Sequence, residues 1–270
     1  MTEGAYTSNI TVAEHHALRA VGFAPVGLVM GNYVFNLRDT TTSGTCGYTQ
    51  PDAGDRLFRP ASVVAPVVRA APEMRVAAHD AHERAVNHMR QECRALGGDG
   101  VVAVELTTRP FPFGGTEFLA VGTAVRATGA VRSPEPFLSD LSGQDFAKLI
   151  EAGWVPCGLV IGLAVVLRHD DSNPLIPRRW RDNAEIRGYT ELAQAARTAA
   201  RDQIRHEVVR LGGAGVVARA VSLKLSLQLC RMPQRAGHDR LAEAIVVGTA
   251  ITPFRHGGPG TPPLPVMRLR

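Results

Sequence analysis

Three blocks of the 270-residue chain occur twice, in the same order. Residues 22–31 read GFAPVGLVMG and residues 153–162 read GWVPCGLVIG. LGGDGVVA at 96–103 matches LGGAGVVA at 211–218, and EFLAVGTAV at 117–125 matches EAIVVGTAI at 243–251. Ordered recurrence of this kind marks a duplicated supersecondary unit. Two homologous small domains are therefore expected, over residues 8–129 and 138–252. A linker at 130–137, stiffened by Pro134 and Pro136, joins them. The tail at 253–270 is rich in proline and glycine and is expected to be disordered.

Each unit opens with a short helix. Thr11 and Glu14 form a capping-box pattern, and Ser142 with Asp145 is a looser version at the equivalent place. The glycine-bounded block that follows reads as a strand. A long helix comes next, from about 72 to 96 and from about 190 to 211. Met74, Ala77, Ala78, Ala81, Ala85, Met89, Cys93 and Leu96 fall on one stripe at helical spacing. Tyr189, Leu192, Ala193, Ala196, Ala200, Ile204, Val208 and Leu211 repeat that stripe. Gly97 and Gly212 supply a left-handed stop. Two strands close each unit, near 100–108 with 117–127 and near 215–222 with 243–252. The fold class is α+β, each domain a mainly antiparallel sheet packed with a long helix.

The alanine stripe buries little area per residue, and burial is worth only about 25 cal/mol per Å². In the last strand, Ala120, Gly122 and Ala124 line one face and Leu119, Val121 and Val125 the other. Both faces are apolar or small, and one helix cannot cover both. Self-association, or close packing of the two repeats, is expected to cover the rest.

Apolar residues at 45% and charged residues at 20% fit a soluble globular protein. Four cysteines without a C-x-x-C exclude a zinc ribbon or a thioredoxin-type motif. The net charge of +5 is almost all arginine and is mild for this length, so a nucleic-acid partner is not expected. Arg178, Arg179, Trp180 and Arg181 read as a loop salt-bridge cluster. The first ten residues lack the basic and apolar regions of a signal peptide. The longest apolar run, Val155 to Leu167, is shorter than the roughly 20 residues of a spanning helix and reads as a buried strand pair or turn. A cytoplasmic protein with no membrane partner is the expectation.

The blocks PVGLVMG and PCGLVIG, LGGDGVVAV and LGGAGVVAR, and E-x-L-A-V-G-T-A-V with its copy resemble the YbjQ family. Residues 185–192, EIRGYTEL, are similar to the family's segment before its long helix. The resemblance implies a YbjQ/dodecin-like α+β unit, a heavy-metal-binding label, and pentameric rings for single-domain members. A tandem chain would then place two units per protomer in a homo-oligomeric, pentamer-like ring or a double-layered assembly. The first repeat departs from the pattern between Arg38 and Pro72, where about sixteen extra residues form a loop or hairpin that includes Cys46.

Cys93 stands where the other repeat has Val208, and Cys157 where it has Val26, which favours cysteine as a small buried hydrophobe. His79, His82 and Glu83 share one flank of the long helix at spacings of three and four and could hold Zn²⁺, Ni²⁺ or Cu²⁺. The second repeat has Gln194, Arg197 and Thr198 there, so the group is not built into the fold. Polar positions common to both copies are Glu92 with Glu207, Arg90 with Arg205, and Glu117 with Glu243. They read as carboxylate–arginine or carboxylate–backbone contacts at a subunit interface, as an acidic ring for cations, or as a general acid–base pair. Leu223, Leu225, Leu227 and Leu229 alternate with polar residues, which makes the hairpin at 221–242 a possible protein contact. No nucleophile or cofactor motif is legible. The expected function is a non-enzymatic, ring-forming protein that binds a small ligand or heavy-metal ion at subunit or repeat interfaces. The alternative is a structural or protein-interaction module.

Overall fold

Capped helices, a glycine-bounded strand and an alanine-rich helix recur in each half of the computed structural model. Residues 7–35, 69–70, 72–130, 132, 134–170, 185, 187–229 and 238–254 are described. The first half contains α1 (Val12–Ala20), β1 (Phe23–Phe35), β2 (Arg69–Ala70), α2 (Pro72–Ala95), β3 (Gly100–Phe111) and β4 (Gly115–Ala127). The second contains β5 (Phe137–Leu138), α3 (Gly143–Glu151), β6 (Trp154–Asp170), α4 (Arg187–Arg210), β7 (Gly215–Leu229) and β8 (His238–Pro253). Residues 39–68 of the insertion at 39–72, Cys46, Cys230, the Arg178–Arg181 cluster and the tail beyond Phe254 lie outside the described residues.

The protein is α+β, and the described residues form two four-stranded sheets ordered β1-β4-β3-β5 and β2-β6-β8-β7. Thr11 and Glu14 form the full capping box, and the Ser142 hydroxyl accepts from the Asp145 amide. Gly97 and Gly212 take φ of +68° and +69° after the long helices, as a left-handed stop requires. The run Val155–Leu167 is not a strand pair. It lies within the single strand β6, which absorbs its interruptions in a bulge between Pro156 and Gly158.

The short strands cross between the halves. β5, from the start of the second half, pairs in parallel with β3, setting Leu138 beside Val101. β2, from the first half, pairs with β6, setting Ala70 beside Val166. Side-chain alternation then builds a layered core. Val29, Val101, Ala120 and Ala124 face Ala81, Ala85, Met89 and Cys93 of α2. Val160, Ala164 and Ala244 face Leu192, Ala196, Ala200 and Ile204 of α4. The opposite face of β6 presents Ile161 to the first cluster, and Leu163 and Val165 to Ala78 of α2. Helix α2 therefore lies between the two sheets. Leu18 of α1 and Phe146 of α3 cover Val102 and Val125 on the far side of the first sheet. Among the described residues, no helix is long and apolar enough to cross a membrane.

Candidate functional site: the cleft between the repeats

The crossing of elements leaves a cleft of about 540 Å³ where α2, the connecting segment, the start of β6 and the end of α4 converge. One wall is α2, which contributes His79, Glu83 and Arg90. The other is the end of α4, which contributes Glu207 and Arg210. Phe137, Leu159 and Ile161 supply an apolar floor. Polar groups converging over an apolar base are the usual anatomy of a small-ligand site.

The charges of the cleft are coupled. The Glu207 carboxylate accepts from the Arg210 guanidinium at 2.6 Å. That hydrogen bond, with Glu83 adding to the field, raises the Arg210 pKa further above its already high value. Arg90 donates to Asn87 Oδ1 at 2.7 Å, while its buried Nε has no hydrogen-bond partner among the described residues. Glu135, also on the cleft, pairs with Arg94 at 3.3 Å. Four of the sequence-predicted residues, His79, Glu83, Arg90 and Glu207, thus share one cleft.

The remaining candidates lie elsewhere. Glu92 accepts from the Met30 amide at 2.6 Å and so ties α2 to β1. Arg205 donates to Asp202 at 3.2 Å on the exposed side of α4. Glu117 stands opposite Arg109, and Glu243 opposite Lys224, on neighbouring strands. Burial raises the Glu243 pKa, with Lys224 opposing that shift. Cys93 is fully buried, and its thiol is pushed up to about 11 chiefly by burial. Burial also raises Cys157. Neither is a ready thiolate.

The metal group differs from the spacing-based set. His82 does not share the solvated flank with His79. It is buried, places Nδ1 2.8 Å from the Ala78 carbonyl, and packs edge-on against Phe118 at 4.7 Å. Asp80 takes its place: the donor atoms of His79, Asp80 and Glu83 lie within 4.8 Å of one another. One imidazole and two carboxylates suit a borderline divalent ion that takes its other ligands from water. Asp80 was legible in the sequence, since it stands three residues before Glu83 on the exposed side of α2. Arg210 was legible as a partner three residues after Glu207.

The core position of His82 has a measurable consequence. Burial lowers its pKa, with His79 adding to the effect, so the folded state keeps it neutral. The unfolded chain binds a proton near the ordinary value of about 6.5. His82 therefore costs stability as pH falls below that value, because the unfolded state takes up the proton first. Thermal melts at pH 7.5 and 5.5 should show a smaller acid loss for His82→Leu than for the unchanged chain. An equal loss would contradict the assignment.

Three comparisons bear on this arrangement. Residues 70–128 match the YbjQ family, described as "Putative heavy-metal-binding". The chain is 32% identical to the encapsulin nanocompartment protein Rv1762c of Mycobacterium tuberculosis over 222 residues, covering 80% of this chain and 77% of that protein. It is 49% identical over 47 residues to UPF0145 proteins of Halorubrum lacusprofundi and Archaeoglobus fulgidus, covering 17% of this chain and 45% and 44% of theirs.

Proposed function

The chain belongs to the YbjQ-like (UPF0145) family, and from that premise we propose a non-enzymatic, self-assembling protein that binds a small ligand or heavy-metal ion in the cleft between its repeats. The cleft is the observation that carries the reading. It joins both repeats, combines an apolar floor with paired charges, and carries His79, with Asp80 and Glu83 within donor reach, on α2. A relative named for an encapsulin nanocompartment supports assembly into a larger particle. The two domains, at 8–129 and 138–252, act as one unit through their crossed strands. A closed ring is the form of assembly we favour, in line with the pentamer-like ring expected from the resemblance.

Calorimetric titration with Zn²⁺, Ni²⁺ and Cu²⁺ tests the ligand. One site per chain of micromolar affinity is expected. His79→Ala or Glu83→Ala should weaken it by roughly ten-fold or more, since losing a direct ligand costs at least as much as losing an outer-shell partner. Millimolar binding that neither substitution alters would contradict the metal reading. A second reading, a protein-interaction module, is favoured by Val221 and Leu225, which stand exposed along β7. Val221→Asp with Leu225→Asp should abolish partner capture under that reading and leave metal affinity unchanged.

A further inference from the structure

The junction between the two repeats is a complete interface, and each half also carries the unused complement of it. Within the chain, the first repeat offers the edge of β3 and the outer side of α2. The second repeat offers the segment before α3 and the outer face of β6. The segment docks by backbone hydrogen bonds: the Phe137 amide donates to Asp99, the Ser139 amide to Val101, and the Val104 and Ala103 amides to Ser139 and Leu141. Val101, Val102 and Val104 of this strand are almost completely buried.

Among the described residues, the same surfaces are open at the two ends. β7 is the counterpart of β3, and it is the edge strand of the sheet those residues form. Val216, matching Val101, is 36% exposed, and Arg219, matching Val104, is exposed. On the first repeat, Met30 and Val34 of β1 are 50% and 41% exposed. Their counterparts Ile161 and Val165 are buried beneath α2. The segment before α1, Thr7-Ser8-Asn9-Ile10, aligns with Leu138-Ser139-Asp140-Leu141: the serines are identical, Asn9 and Ile10 replace Asp140 and Leu141 conservatively, and Thr7 stands where the second repeat has the buried Leu138. It is anchored in the same way. Asn9 bonds Thr123 through its amide and side chain, as Asp140 bonds Thr249.

We infer that the second repeat of one copy binds the first repeat of another by repeating the junction found within the chain. Thr7–Ile10 of the incoming copy adds in parallel to the edge of β7, and α4 covers Met30 and Val34. The occupant is fixed by complementarity. Each open surface has, at the opposite end of the same chain, a partner whose counterpart in the other repeat occupies the equivalent place within the chain. The contact is head-to-tail, so it closes into a ring or runs on as a filament. Any ring so made contains an even number of repeats. Each junction also rebuilds the cleft: Arg205 and Glu92 of two copies take the places of Arg90 and Glu207. This inference rests on the self-assembly reading and specifies its contacts.

By the register of β5 on β3, Thr7 of one copy stands beside Val216 of the next. Neighbouring strands lie about 4.8 Å apart, within the range a disulfide spans. Under mild oxidation, the full chain carrying Thr7→Cys and Val216→Cys should give a ladder of covalent multimers on a denaturing gel. Neither single variant should do so. Val34→Asp should weaken assembly at least ten-fold by light scattering while leaving the melting temperature of the monomer unchanged. An assembly that persists while the double variant cross-links no more than the single variants would overturn this junction and leave self-assembly standing. A monomer throughout the micromolar range would overturn both.

Discussion

Gly162→Val is expected to unfold the second repeat under conditions where the unchanged chain is folded, and Gly31→Val to do the same to the first. A Cβ at Gly162 would lie 2.1 Å from the Ala200 carbonyl oxygen of α4. At Gly31 it would lie 2.0 Å from the Ala85 carbonyl oxygen and 2.4 Å from the Met89 amide of α2. Comfortable contacts need roughly 3.5–4.0 Å. The obstructing atoms are helix backbone, so no rotamer change relieves the clash, and the whole helix must lift. Overpacking usually costs about 1–3 kcal/mol and occasionally more, and these sites belong at or above the top of that range. Against a total stability of about 5–15 kcal/mol, such a loss is decisive. Gly129, which has nothing within 4 Å of an added Cβ, provides the control. Chemical denaturation followed by circular dichroism should show a collapsed midpoint for both valine variants and little change for Gly129→Ala. Wild-type midpoints at Gly31 and Gly162 would refute the close helix–strand approach.

The second large effect is expected at Phe146. Its ring is fully buried, stacks on Phe137 at 5.5 Å, and meets Phe23 edge-on at 5.1 Å. It belongs to α3 of the second repeat, yet packs with Leu18, Val102 and Val125 of the first. Phe146→Ala should cost about 3–5 kcal/mol, the usual range for emptying a buried aromatic site. It should also loosen the halves from each other, because α3 seals the far side of the first sheet. Hydrogen exchange at the Ala103, Val104 and Ser139 amides, which bond between the two repeats, should then become fast. An unchanged midpoint with those amides still protected would show that the repeats do not depend on this contact.

Much of the fold was legible because the chain carries its own internal comparison. The matched blocks gave the long helices, the glycine stops and the paired strands. The alanine stripes showed how closely each helix would lie on its sheet. What could not be read was which half each short strand would join. β5 and β2 are two residues long and carry no periodicity of their own. Their pairing with the opposite sheet is set by tertiary packing. The cleft was legible only in fragments. Arg90 and Glu207 stood out as shared positions, but their convergence depends on the crossing of the repeats. The burial of His82 was legible: it stands four residues after Ala78 and three before Ala85, inside the apolar stripe, and only its polar residue type argues for the solvated flank.

The direct test of the account is the mass of the native particle. Native mass spectrometry of the full chain at micromolar concentration should show whole multiples of 28.9 kDa, with the single-chain mass a minor species. A dominant 28.9 kDa species that persists across that range would mean that the open edge of β7 and the outer face of β1 have no partner in a second copy.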